Sequence, residues 1–201
     1  MLNHITLALI TLFAAFPAMA SVEVGKLAPN FTGADAAGAN VTLEQFRGKN
    51  VVLEWTNPEC PFVVKHYSGG HMQALQQELT ADGTIWLSIN SSGEGKQGHL
   101  TAEQAQAVVA EKNIAATHYL LDPSGEIGKL YDAKTTPHMF IINAEGILVY
   151  AGAIDSIASF NAEDIDKAEN YIGTNMQALK KGETITTAET TPYGCSVKYK
   201  N

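Results

Sequence analysis

The chain's 201 residues are 45% hydrophobic and 17% charged, the balance of a folded globular protein and not of a disordered or fibrous one. Thirteen Lys and Arg against 21 Asp and Glu leave a formal charge of −8, and no basic cluster exceeds the pair Lys180-Lys181. Nucleic acid is therefore not an expected partner. A domain of this length buries roughly 70% of its unfolded surface without help from a disulfide or metal, so the two cysteines need another explanation.

Residues 5–16 form an uncharged apolar run too short to span a bilayer, and Ala18-Met19-Ala20 supplies a small-x-small cleavage pattern. Residues 1–20 thus read as a signal peptide, although only the terminal amine and His4 stand where Lys or Arg is usual. Cleavage after Ala20 would release a periplasmic or secreted protein beginning at Ser21, with no membrane attachment. In such a compartment two cysteines can pair and stay paired.

Residues 21–182 read as one domain and 183–201 as a Thr-rich tail carrying Cys195. Asn50–Thr56, centred on Val51-Val52-Leu53, is a continuous apolar run of strand length, as for a strand covered on both faces. Pro58 and Pro61 stop it. Phe62, Val63 and Tyr67, then Met72, Leu75 and Leu79, recur at helical spacing, with a kink or break at Gly69-Gly70. Thr84–Asn90 is a second strand and Ser91–Gly98 a polar loop. Thr101 and Gln104 form a capping box for a helix running to about Lys112.

His118–Leu121 is a short strand and Ser124–Tyr131 a short helix. Met139–Ile142 and Ile147–Tyr150 flank Asn143-Ala144-Glu145-Gly146 as an antiparallel hairpin. A long helix is predicted from about Ala162 to Lys181, stopped by Gly182. Strands and helices in this order make an α/β protein with a mixed sheet and helices on its faces.

The stretch Val52 to Pro61 sets a cysteine just past a buried strand and at the first turn of a helix. Unpaired N–H groups there lower a thiol pKa, and Pro61 suits the first helical position because its missing N–H would be unpaired anyway. Together with Gly25-Lys26-Leu27-Ala28-Pro29-Asn30-Phe31, Arg47-Gly48-Lys49 and Thr136-Pro137, this stretch resembles the thioredoxin superfamily, and within it the redoxin (AhpC/TSA-like) branch, over about residues 25–155. The resemblance implies a thioredoxin-like sandwich, a mixed central sheet with helices on both faces and an N-terminal β extension around residues 30–43. It also implies that Pro137 is the cis-proline facing Cys60 and that Trp55, Pro61, Thr136 and Pro137 border the substrate. The Thr136 backbone there could pair with an extended peptide. Glu54 stands where thioredoxins keep a buried acid that handles protons. Strand alternation groups it with Val52 and Thr56, which suits either a buried carboxyl of raised pKa or a solvated strand-end glutamate.

The departures from the pattern matter as much. Val63 occupies the place of the second thioredoxin cysteine, so Cys60 cannot cycle with a near neighbour. Asn57 and Leu53 replace the Thr/Ser and Pro that peroxiredoxins use to activate peroxide, and the sole arginine, Arg47, reads as a surface loop residue. A typical peroxidase is disfavoured, and the chain is similar to the peroxiredoxin-like group that keeps only the first cysteine. Cys195, in a tail with no evident core contribution, is the economical partner for Cys60, either as a permanent staple or as the thiol that resolves mixed disulfides.

Copper is the metal to weigh, because Cys60, Cys195, His66, His71, Met72, His138 and Met139 are soft or imidazole donors. None shows a diagnostic spacing, and most of the histidines read as surface or edge residues. No metal site or cofactor is expected. The reading is an exported thiol–disulfide redox protein acting on a protein or small thiol/disulfide substrate, with Cys60 as nucleophile, Cys195 as candidate resolving partner and Glu54 as proton carrier. Its rival is a non-catalytic module that holds a peptide or copper in the same groove and is stapled by Cys60–Cys195.

Overall fold

The computed structural model describes residues 22–200; the signal-peptide reading of residues 1–20 lies outside them. Strands β1 (Thr32–Asp35) and β2 (Asn40–Thr42) form a small hairpin, followed by a 3₁₀ turn at Leu43–Phe46 and by β3 (Val51–Trp55). Helices α1 (Pro61–Ser68) and α2 (His71–Ala81), β4 (Ile85–Asn90), α3 (Ala102–Glu111), β5 (His118–Leu121) and α4 (Glu126–Leu130) come next. A two-residue β6 (Thr135–Thr136), β7 (His138–Ile142), β8 (Leu148–Gly152), a 3₁₀ segment (Ala162–Lys167), α5 (Tyr171–Lys181) and β9 (Cys195–Ser196) complete the chain.

Seven strands form one mixed sheet in the order β2-β1-β5-β4-β3-β7-β8, with β3-β4 and β4-β5 parallel and the other pairings antiparallel. β3 and β4 lie at its centre and are buried throughout, which is why their sequences are nearly unbroken apolar runs. The pleat sorts their side chains. Val51, Leu53 and Trp55 pack with Ile85, Leu87, Ile89 and Phe140 on one face, beneath α4. Val52 faces the other way with Trp86, Met139 and Ile141, beneath Met72, Leu75 and Leu79 of α2 and Met176 of α5. Each such fully buried large apolar side chain contributes roughly 1.5–3 kcal/mol relative to exposure.

The predicted break at Gly69-Gly70 separates α1 from α2, and Gly70 adopts φ 78 at the cap, a left-handed conformation that favours glycine. The N-terminal extension is the β1–β2 hairpin, and β1 pairs with the edge of β5.

Two expectations differ from the structure. The helix predicted over 162–181 is divided into the 3₁₀ segment and α5. The Asn170 side chain accepts the Gly173 N–H and starts a new helix, while Tyr171 N–H donates to Ile154 O and draws residues 168–170 into extended pairing beside Asp155. The tail, read as having no core contribution, is stitched to the domain. Residues 188–190 add to β8 through Ala151 N–H to Ala188 O and Thr190 N–H to Ala151 O. Val197 packs against the core face above β3, and the Tyr199 hydroxyl donates to Ala133 O at 2.7 Å.

Candidate active site

Cys60 is placed by a turn at the end of β3. Asn57 Oδ1 accepts the Glu59 N–H at 2.9 Å, and the Cys60 N–H donates to Asn57 O at 3.0 Å. Cys60 then caps α1, its carbonyl accepting from the N–H groups of Val63 and Val64, with Pro61 at the first helical position. The residue is fully buried, and its sulfur lies 3.1 Å from Thr136 O. Thr136-Pro137 is a cis peptide.

The tail crosses this site as a strap held at both ends. Between the stitch on β8 and the stitch near α4, β9 lies antiparallel on β6, with Cys195 opposite Thr136 and Ser196 opposite Thr135. The N–H of Val197 continues the pairing to Lys134 O at 3.0 Å. Cys195 thereby packs beside Cys60; both are free thiols, close enough for each to shift the other's pKa.

The two thiols are shifted in opposite directions. Burial pushes the Cys60 thiol up, but the polar groups of Cys195, Thr136 and Val63 around the sulfur bring it below the ordinary thiol value. Burial together with the Cys60 contact pushes the Cys195 thiol up to about 11. The arrangement favours a thiolate on Cys60 and a proton on Cys195.

Beneath them, Glu54 is fully buried. Trp86 Nε1 donates to its carboxyl at 2.8 Å, the Tyr67 hydroxyl at 2.8 Å, the Ser88 hydroxyl at 2.9 Å and Gln76 Nε2 at 3.2 Å. Gln76 Oε1 accepts the Ala115 N–H, which fixes the amide so that its NH₂ faces Glu54. Burial raises the Glu54 pKa, and the four donors only partly offset it. No hydrogen bond joins Glu54 to Cys60. Their link is α1, which carries Tyr67 and is capped by Cys60.

A buried strand, a cysteine-capped helix and a cis-proline facing the sulfur coincide with a match to the AhpC/TSA family over residues 24–151. The chain belongs to the AhpC/TSA family. Over 178 residues it is 25% identical to the thiol-disulfide oxidoreductase ResA of Bacillus subtilis, covering 85% of this chain and 84% of that protein. A hypothetical protein of Sinorhizobium meliloti 1021, 25% identical, superposes with a TM-score of 0.75 over 90% of this chain and 97% of its own. The thioredoxin domain of a thiol-disulfide oxidoreductase of Bacteroides vulgatus, 19% identical, gives a TM-score of 0.53 over 73% and 98%. The fold is a thioredoxin-like sandwich.

Within this AhpC/TSA chain, the residues singled out from sequence divide into two groups. Cys60, Pro61, Thr136, Pro137 and Cys195 come together. Trp55 does not border the site: it is fully buried on the opposite sheet face, ring against Tyr131 and Phe140, its Nε1 donating to Ser91 Oγ at 3.0 Å. The pleat decides this, since Trp55 and Glu54 are adjacent in one strand. Arg47 lies in an exposed contact with Glu145 O, away from the sulfur.

His66 and His138, read as surface or edge residues, are buried, and burial lowers each imidazole pKa to about 4. His66, His71 and Met72 line a small cavity of about 50 Å³ with Asp155, while the His138 ring lies tilted 4.4 Å from that of Phe140, two residues on in β7. The copper candidates thus fall into separate groups, Cys60 with Cys195, His66 with His71 and Met72, and His138 apart from both. The sequence reading missed a buried polar cluster under the strap. Lys65 Nζ donates to Asp155 Oδ2 at 3.2 Å, and the Tyr193 hydroxyl donates to Asp155 Oδ1. His66 Nε2 lies 3.7 Å from the same carboxylate. The only hint in the sequence was a lysine and a histidine at core-facing positions of α1.

Proposed function

We propose that this protein is an exported thiol–disulfide exchange protein in which Cys60 is the nucleophile and Cys195 the resolving thiol. The supporting observation is the contact of two free thiols whose pKa values are driven apart, the lower one at a helix N-terminus and the higher on a strap. The relationship to ResA, named a thiol-disulfide oxidoreductase, agrees with this reading.

In the reaction, the Cys60 thiolate attacks one sulfur of a partner disulfide. A Cys60–partner disulfide forms as the partner's own S–S bond breaks and its first thiolate leaves. That thiolate takes the proton from Cys195, whose sulfur then attacks Cys60 and expels the second partner thiolate. Both partner sulfurs leave reduced, the second thiolate taking its proton from solvent, and the Cys60–Cys195 pair is oxidised to a disulfide. Glu54 is the proton carrier in this scheme, its raised pKa and its hydrogen bond from Tyr67 suiting that role. The partner class is a protein or small thiol/disulfide.

One observation favours a second reading: the strap is anchored on both sides of Cys195, so a Cys60–Cys195 bond would also serve as a staple in a non-catalytic module. Reduction separates the two. Mild dithiol should open the bridge in a folded domain if the pair is catalytic, whereas a staple resists until the domain melts. Export is tested by N-terminal sequencing of the protein recovered outside the cytoplasm, expected to return Ser21; Met1 would remove the leader.

A further inference from the structure

The middle of the strap is itself a peptide seated on the site. β9 adds to β6 as an antiparallel strand, the geometry by which an extended segment augments a free strand edge. Three consecutive residues are read by different parts of the groove. Cys195 packs beside Cys60. Gly194, at φ 135, lies so close to Thr136 that a Cβ would stand 2.1 Å from its carbonyl oxygen, so a side chain there would lift the strand.

Tyr193 enters a subsite formed by α1 and the segment after β8. Its ring meets Phe62 edge-on at 5.8 Å, Lys65 Nζ lies 5.7 Å from the ring centre, and its hydroxyl donates to Asp155. Lys65 and Asp155 are both buried and already paired, so this subsite accepts a hydrogen-bond donor on an aromatic ring and rejects an acid.

We propose that the groove is selective for sequence and that the strap fills it from within, Tyr193, Gly194 and Cys195 each occupying a place that a partner's residue can take. Its partners in trans are extended segments of the Tyr-Gly-Cys type, in which a glycine and a phenolic ring precede the cysteine. Such a segment displaces residues 193–196 while the stitches at 188–190 and 197–200 hold the strap nearby. This inference rests on exchange at Cys60 and names its substrate class. The peptide cysteine arrives as a disulfide and the Cys60 thiolate attacks its sulfur. The peptide's S–S bond breaks as the Cys60–peptide bond forms, and the departing thiolate carries away the electron pair, so no further oxidant is required.

The test uses the full-length Cys195→Ser protein and a synthetic peptide with the sequence of residues 190–198. Its cysteine is activated as a mixed disulfide with 2-nitro-5-thiobenzoate, whose release is followed by absorbance. The same peptide carrying Gly194→Ala or Tyr193→Ala, and the symmetrical small aromatic disulfide, complete the series. The unaltered peptide should react saturably, and each altered peptide about tenfold more slowly, the scale of one lost buried contact. A Gly194→Ala/Cys195→Ser protein, its own strap lifted, should accept the unaltered peptide faster still. Equal rates for the three peptides, or inert peptides beside a reactive small disulfide, would overturn the selective groove and leave Cys60 chemistry standing. A folded protein whose Cys60 attacks neither probe removes the proposed function and this inference with it.

Discussion

Cys60 and Cys195 meet from two unlike parts of the molecule. Cys60 is held by the scaffold: its strand is buried on both faces, its turn is fixed by Asn57 and its helix stands on the Glu54 network. Cys195 is held by a strap of short-range pieces, namely two residues on β6, one phenol on Asp155 and two terminal stitches. Damage to the scaffold should therefore unfold the protein, while damage to the strap should uncover the sulfur and leave the fold in place. Strength of packing separates the proposed nucleophile from the proposed resolving thiol.

The largest expected effect is on the scaffold side. Glu54→Ala strands the buried Trp86 Nε1, which can only donate, and takes a shared acceptor from Tyr67, Ser88 and Gln76, and should cost about 4 kcal/mol in denaturant unfolding; a loss below about 1 kcal/mol would show that the carboxyl does not organise the floor. Next comes acid. Burial holds His66 and His138 neutral, each with its pKa lowered from 6.5 to about 4, so the folded state binds fewer protons than the unfolded one in that window. Their stabilisation is present above pH 6.5 and is lost as pH falls towards 4, about 3 kcal/mol for each. Glu54 acts in the opposite sense: its pKa is raised, so its contribution weakens the fold as pH climbs through that raised value. Unfolding curves of His66→Gln and His138→Gln should be flatter between pH 6.5 and 4 than those of the parent.

The strap side should respond in reactivity, not stability. Gly194→Ala forces a Cβ against Thr136 O and should raise the rate of Cys60 alkylation about tenfold with little change in the unfolding midpoint. A matching loss of stability would erase the distinction between scaffold and strap. Tyr193→Phe deletes only the hydrogen bond to Asp155, which keeps Lys65 as its partner, and should raise the same rate about fivefold. The smallest effect concerns hydrogen peroxide. With Asn57 fixed in the turn and Leu53 in the core, Cys60 should react no faster than a free thiolate of equal pKa, as stopped-flow measurement can check.

The same division explains what was legible in the sequence. The strand, the cysteine, the capping proline and the helix read clearly because buried strands and helix starts carry local signatures. Thr136-Pro137 read clearly because it directly precedes a strand. Strand alternation grouped Glu54 with Val52 and Thr56, yet only the arrival of Gln76 and Trp86 from other elements shows that it is buried. The same pleat put Trp55 in the core, where the family likeness suggested substrate. The strap was illegible because its partners lie far off in the chain: Tyr193 with Asp155, Cys195 with Thr136, Val197 with Lys134. Its Thr-rich sequence carries no hydrophobic period to announce docking. Lys65 and His66 were hidden likewise, since a charge on the inner face of a helix makes sense only once Asp155 arrives from the segment after β8.

The proposed exchange requires Cys60 as the attacking thiol and Cys195 as the thiol that releases it. The most direct measurement is intact-mass and peptide-mapping analysis of folded Cys195→Ser protein after exposure to a thiol partner's disulfide. A mixed disulfide accumulating on Cys60, resolved in the parent and absent from Cys60→Ser, is the predicted result. A folded Cys195→Ser protein that captures nothing, in a molecule whose parent bridge resists dithiol until it melts, would contradict the exchange function and make the bond a staple.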